Sequence, residues 1–136
     1  MLTEQEIASL AADLESFRVE RKESFKSVKG AIEEAICAFA NDLPGTGQPG
    51  ILLLGVHDKT GQATGLAVTD ELLRDITNIR SDGNILPFPL MTVYKATLAG
   101  KEIAVVEVKP SPDPPVALRG RICVRIGPRK GTATRG

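Results

Sequence analysis

Acidic and basic side chains crowd one short stretch of this chain, and a further acid follows an apolar run downstream. The stretch holds Glu15, Arg18, Glu20, Arg21 and Lys22, and the downstream acid is Asp58. Three converging carboxylates can hold a divalent cation, which polarises a phosphoryl oxygen and orients a water molecule. Glu15, Glu20 and Asp58 are therefore candidate metal-binding and catalytic residues, with Mg²⁺ or Mn²⁺ as the candidate cofactor. The same spacing is also typical of surface ion pairs, which contribute ~0–1 kcal/mol each.

Cations form an early and a late group. The late group follows Asp113, after which the chain has no acid. Arg119 and Arg121 flank a predicted hairpin tip, and Arg125 shares a strand face with Arg121 because their spacing is even. Such residues can follow a line of phosphates. The predicted nucleic-acid contacts are Arg18, Lys22, Arg119, Arg121 and Arg125.

Three other motifs do not indicate cofactor or nucleophile chemistry. The glycine pattern of 45–50 matches a dinucleotide-binding fingerprint, but it follows a helix and precedes a strand, so the helix dipole points the wrong way. His57 is the single histidine, which is too few for a zinc site or a Ser-His pair. Cys37 and Cys123 lie in apolar runs without metal-type spacing and are predicted to be buried free thiols.

Composition is that of one globular domain with no membrane segment. The 136 residues are 42% hydrophobic and 25% charged, and the formal net charge is zero. Zero net charge argues against a surface that binds nucleic acid all over, and the absence of Trp argues against a base-stacking platform. No signal peptide is visible, and the longest apolar run is too short to span a bilayer, which favours the cytoplasm.

Hydrophobic periodicity predicts an α+β fold, a mixed β-sheet with two or three helices packed on it. Helices are predicted over 3–14, where Thr3 and Glu6 fit a capping box, and from Thr69 or Asp70 to about 80. A further helix is predicted from Ser27, as its cap, to the turn at Leu43-Pro44-Gly45. Strands are predicted over 17–22, 51–56 (central) and 65–67, with one hairpin turning at Ala99-Gly100 and another at Arg119-Gly120. The basic tail 127–136 has no apolar period, so no closing element is predicted there.

An ordered series of short pieces across residues 15–130 resembles the Schlafen-type Alba-like domain, also called the divergent-AAA domain, of bacterial transcriptional regulators. The matching pieces are Glu15-Ser16, Glu20, Lys22, Ala38-Phe39-Ala40-Asn41, Gly55-Val56 with Asp58, Gly65, Ile85 with Pro87, Val105–Val108, Pro115 and Val124-Arg125-Ile126-Gly127. The resemblance implies an Alba-like fold and DNA binding. It also implies that Glu15, Glu20 and Asp58 match acids with which animal Schlafen proteins cleave structured RNA.

Two departures from the family pattern lie near these acids. Arg21 stands where the family usually has an aromatic residue, and the short turn after Asn41 is lengthened to 41–50. The domain organisation expected is an N-terminal helix over 1–14, the Alba-like domain over 15–130, and a tail or linker over 131–136.

Three functions are compatible with these patterns. The first is a nucleic-acid-binding, DNA-binding domain of a bacterial transcriptional regulator, without enzymatic activity. The second is a metal-dependent endoribonuclease that uses Glu15, Glu20 and Asp58. The third is an interaction module, in which the exposed hairpins mediate homodimerisation or bind a partner domain.

Overall fold

The computed structural model describes the backbone of residues 1–126 and 129–133, and these ranges form an α+β fold. The elements are α1 (Glu4–Ala12), β1 (Val19–Lys22), α2 (Lys29–Asn41), β2 (Gly50–Leu54), α3 (Asp70–Thr77), β3 (Ile85–Leu86), β4 (Leu90–Leu98), β5 (Lys101–Lys109), β6 (Ala117–Leu118), β7 (Arg121–Ile126) and β8 (Arg129–Ala133). Short 3₁₀ turns over Lys26–Val28 and Asn78–Arg80 precede α2 and follow α3.

The strands form two four-stranded sheets. The first has the order β1-β2-β5-β4, in which β1 pairs parallel with β2 and the other pairs are antiparallel. The second has the order β3-β6-β7-β8 and is antiparallel throughout. β2 is internal and buried on both faces, as its continuous aliphatic sequence predicts.

The two faces of the first sheet are covered by different helices. Ile7 and Ala11 of α1 pack on the face that carries Ile51 and Leu53. The apolar stripe of α2 packs on the opposite face, with Leu52 and Leu54. α2 also contacts β6 and β7, so it lies between the two sheets and is buried along most of its length.

Both predicted hairpins and all three helices are confirmed. Thr3 caps α1 through a complete capping box, and Thr69 caps α3. The turn residues Arg119 and Gly120 have φ of 47° and 81°, and two positive values fit the tight turn that joins twisted antiparallel strands. Cys37 and Cys123 are buried and form no disulfide, as expected.

Four details differ from the sequence-based expectation. Residues 65–67 form no strand; the neighbouring Ala63 makes a single bridge to Val56. Ser27 does not cap α2, because its hydroxyl bonds Ser24 instead. A second sheet adds to the expected mixed one, and β8 occupies part of the predicted tail. Of that tail, residues 127, 128 and 134–136 lie outside the described residues.

No helix in the described ranges combines the length and the apolar character needed to cross a membrane.

Candidate functional site

Arg125 of β7 connects the two sheets. Its Nε donates to the carbonyl oxygen of Phe17 at 2.8 Å and its Nη2 to that of Val19 at 3.0 Å. Its Nη1 pairs with the Glu20 carboxylate, and its guanidinium carbon lies 5.0 Å from the centre of the Phe39 ring. Because Arg125 is only 5% exposed, these contacts give it a structural role, which its prediction as a phosphate contact did not anticipate.

Glu20 of β1 pairs with two cations. One carboxylate oxygen pairs with Arg125, and the other lies 3.8 Å from Nζ of Lys22. The side chains of Glu20 and Lys22 are 15% and 20% exposed, so solvent screens this pair incompletely. The even spacing of Glu20 and Lys22 along β1 puts both on one strand face, as the alternating pattern predicts.

Glu15 and Asp58 are both exposed, whereas Glu20 is partly buried. Asp58 lies 3.9 Å from Nδ1 of its neighbour His57. Within residues 1–126 and 129–133, no three His, Cys, Asp or Glu side chains form a group that could hold a metal ion. The metal-dependent nuclease hypothesis therefore stays a prediction without geometric support.

Arg119 and Arg121 are exposed at the β6–β7 turn. Nη2 of Arg119 donates to both carboxylate oxygens of Glu33, at 3.2 and 3.3 Å. The Glu33 side chain is 3% exposed whereas that of Arg119 is 56% exposed. One edge of the Arg119 guanidinium is thus fixed on α2 while the rest faces solvent, which limits its rotamer freedom.

The cations of β1 and those of the β6–β7 turn lie near opposite ends of β7. Arg125 contacts β1 beside Arg18 and Lys22, and Arg121 stands four residues away, a separation of about 13 Å along an extended strand. Arg18 is half-buried, and its Nε donates to the Pro49 carbonyl oxygen at 3.0 Å.

Asn41 ties α2 to the second sheet, a role that the sequence reading missed. Its Oδ1 accepts from the Val116 amide at 2.6 Å, and its Nδ2 donates to the carbonyl oxygens of Val116 and Cys123 at 2.9 and 2.7 Å. The available signal was the position of Asn41 at the end of an apolar helix, where a polar side chain needs a buried partner.

Gly50 allows α2 to approach β2. A Cβ at this position would lie 2.0 Å from the Phe39 ring, so any other residue would push the ring away. Phe39 in turn forms the platform for Arg125. Gly50, Phe39 and Arg125 therefore form one packed unit beside Glu20.

Arg21 holds the C-terminal end of α1. Its guanidinium donates to the carbonyl oxygens of Ala11, Leu10 and the C-cap residue Asp13. The last carbonyl groups of a helix lack the usual helical donors, and here Arg21 adds to the backbone bonds that Leu10 and Asp13 accept. The residue is 5% exposed, and burial lowers the pKa of its guanidinium from the ordinary value. This contact explains why a cation can stand where the family pattern has an aromatic residue.

Comparison with family models gives one match that covers most of the chain. The model described as "Schlafen, AlbA_2" matches residues 15–134. No curated protein matches the chain significantly.

Two solved structures have similar folds. The DIP2311 protein of Corynebacterium diphtheriae is 19% identical with a TM-score of 0.66; the match covers 95% of this chain and 25% of that one, so our chain spans a quarter of its length. The second structure is the N-terminal domain of a Nitrosomonas europaea protein described as related to the ATP-dependent DNA helicase RecG. It is 27% identical with a TM-score of 0.58, and the match covers 76% of this chain and 72% of that one.

Proposed function

The chain belongs to the Schlafen, AlbA_2 family, and from this premise we propose that it is a nucleic-acid-binding domain. The observation that carries the proposal is the pair of exposed arginines, Arg119 and Arg121, at one tight turn. An arginine guanidinium can form two parallel hydrogen bonds with a phosphate. A protruding hairpin tip can reach the backbone phosphates of a nucleic acid that a flat protein surface would not contact. The likeness to the RecG-related domain supports an association with nucleic acid.

Arg119 is suited to this role because Glu33 already orients it. The buried carboxylate takes one guanidinium nitrogen and leaves the remaining donors toward solvent. An oriented side chain loses less rotamer entropy when it binds a phosphate. Arg121, two residues on, adds a second exposed cation next to the same turn.

Arg18 and Lys22 form the second contact point of the proposed interface. They flank the part of β1 that Arg125 contacts, and Arg125 stands about 13 Å from Arg121 along β7. We expect one bound strand to reach both contact points. Lys22 forms an ion pair with Glu20, and the net charge of the chain is zero, so we expect weak binding. Because the contacts are to phosphates, the affinity should fall steeply as the salt concentration rises.

We extend the proposal to duplex DNA and to a role in a bacterial transcriptional regulator of the cytoplasm. The resemblance to domains of bacterial regulators supports this extension. Phosphate contacts of this kind fix position without selecting a sequence. Sequence preference would then have to come from other parts of the regulator or from base contacts.

The test is fluorescence anisotropy with labelled duplex DNA and labelled hairpin RNA at low salt. Arg121→Ala is expected to weaken binding to the preferred probe. Lys101→Ala is the matched control, since Lys101 is also exposed and also follows a two-residue turn, at Ala99-Gly100 of the β4–β5 hairpin. Equal affinities of the two variants, or no binding by the wild type to either probe at low salt, would refute the proposal.

A further inference from the structure

Cys37 and Cys123 are 86 residues apart in sequence (123 − 37) and meet where α2 packs on β7. The Cys37 thiol donates to the Val116 carbonyl oxygen at 3.3 Å. The β6–β7 register pairs Ala117 with Ile122, which puts Val116 opposite Cys123 at the next position. The Cys37 sulfur therefore lies over the backbone pair that contains Cys123.

The side chain of Cys123 points toward Cys37. Residues two apart on a strand share a face, and Arg125, two residues after Cys123, stacks on Phe39 of α2. Cys123 thus faces α2 as well, and both cysteines belong to one buried core cluster. Neither cysteine forms a disulfide in this structure.

We propose that Cys37 and Cys123 are a reversible modification site, at which exchange with a small disulfide of the glutathione class forms an intramolecular disulfide between α2 and β7. The thiolate of Cys123, the more exposed of the two, attacks a sulfur of glutathione disulfide and releases one glutathione thiolate. The Cys37 thiolate then attacks the Cys123 sulfur of this mixed disulfide and releases the second glutathione. The two protein thiols lose two electrons in total, glutathione disulfide gains them, and the two thiol protons pass to the released glutathione thiolates.

The bond would fix the contact that Asn41 already makes by hydrogen bonds. Asn41 stands one helical turn after Cys37 and bonds the backbone of both Val116 and Cys123. A covalent link here closes a long loop and removes conformations from the unfolded chain, so the oxidised protein is expected to be more stable. The inference does not depend on nucleic-acid binding.

Burial makes the exchange slow in the folded protein. Cys37 is 0% and Cys123 6% exposed, and burial raises the pKa of the Cys37 thiol to about 12, so little thiolate is present at neutral pH. An experiment on the folded state alone would measure access rather than geometry. Refolding in the presence of the oxidant avoids this obstacle.

The full-length chain is unfolded in urea and refolded by dilution into a glutathione disulfide and glutathione buffer. Thiol–disulfide exchange is then stopped with acid, and the protein is unfolded again and treated with N-ethylmaleimide. The mass of the chain is measured by mass spectrometry. We expect a monomer lighter than the reduced chain by two hydrogens, with no maleimide or glutathione adduct. Its melting temperature should exceed that of the reduced chain, and dithiothreitol should reverse the difference.

Two controls make the outcome decisive. The first control compares the effective concentration of the two thiols, that is, the equilibrium constant for forming the Cys37–Cys123 disulfide from glutathione disulfide, in the refolded protein and in urea at the same glutathione ratio. It is expected to be at least about tenfold higher after refolding, since only the fold brings the thiols together. Cys37→Ser should give an adduct at Cys123. Wild-type protein that refolds to a native circular dichroism spectrum yet carries two adducts, or that forms disulfide-linked dimers, would overturn the proposal.

Discussion

Arg125 on β7 binds the carboxylate of Glu20 on β1, although 105 residues separate them in sequence. The same guanidinium also bonds the carbonyl oxygens of Phe17 and Val19, so one side chain fixes the start of β1 against the second sheet. Arg125, predicted from its strand spacing to contact phosphate, and Glu20, a candidate metal ligand, thus neutralise each other in the fold.

Arg125→Met is expected to destabilise the protein by about 3 kcal/mol, because it leaves the Glu20 carboxylate without its buried partner. Urea unfolding measures the loss. Combining it with Glu20→Gln should cost less than the sum of the single changes, since the charge left unpaired is then gone. Arg74→Met, at an exposed position of α3, should stay within about 0.5 kcal/mol of the wild type. Additive effects of Arg125→Met and Glu20→Gln would contradict the coupling.

This pairing also determines which variants can test the nuclease hypothesis. Glu20→Ala would abolish cleavage either by removing a metal ligand or by loosening β1. This variant therefore cannot distinguish a catalytic role of Glu20 from a structural one. Glu15→Gln and Asp58→Asn change exposed carboxylates and are expected to leave stability unchanged within about 0.5 kcal/mol. Metal-dependent cleavage that vanished in both of these stable variants would support the enzyme.

Gly50→Ala is expected to lower the free energy of unfolding by about 1–3 kcal/mol, because its Cβ would overlap the Phe39 ring. Gly30 is the matched control. It lies in α2 with open space around its Cα, so Gly30→Ala should stabilise the protein by about 0.5–1 kcal/mol. Phe39→Leu should reduce the cost of Gly50→Ala. Changes of the same sign at both glycines, in thermal unfolding, would exclude this packing account.

Asn41→Asp keeps the shape of the side chain but replaces two N–H donors with a charged oxygen that faces the Val116 and Cys123 carbonyls. We expect a loss of about 2–3 kcal/mol at neutral pH. Gln62→Glu makes the same chemical change on an exposed side chain and should have little effect. Thermal melts of the two variants measure the difference, and equal melting temperatures would show that Asn41 does not carry the contact.

Arg21→Met is expected to loosen α1 while the sheets stay folded. The Ala11 carbonyl oxygen loses its Arg21 donor, and those of Leu10 and Asp13 keep only one long backbone bond each. The helix has only Ile7 and Ala11 fully packed beneath it, so it is expected to open locally. Hydrogen exchange should become faster at the α1 amides and remain unchanged in β2 and β5. Protection of α1 equal to that of the wild type would mean that Arg21 does not hold the helix.

The elements that sequence predicts correctly are those with local causes. The two hairpins follow from two-residue turns, α2 from its apolar stripe, and β2 from a continuous aliphatic run. A strand was predicted at 65–67 and is absent, whereas β8 was not predicted and is present. Strand formation at both places depends on a pairing partner that the local sequence pattern does not reveal. In both cases pairing, rather than propensity, decides the structure.

The site was harder to predict because its contacts join distant parts of the chain. The arginines of the late group look alike in sequence, yet Arg125 is buried beneath Phe17 and Val19 while Arg119 and Arg121 are exposed at a turn. Even spacing correctly put Arg121 and Arg125 on one strand face. It could not reveal that one end of that face is covered by β1.

The salt dependence of binding tests the proposed function most directly. Duplex DNA affinity is measured from low to moderate salt for the wild type, Arg121→Ala and Lys101→Ala, and the logarithm of the association constant is plotted against the logarithm of salt concentration. Loss of one phosphate contact should reduce the slope by about 0.9 in Arg121→Ala, while Lys101→Ala keeps the wild-type slope. Identical slopes for all three proteins would contradict a phosphate contact at the β6–β7 turn.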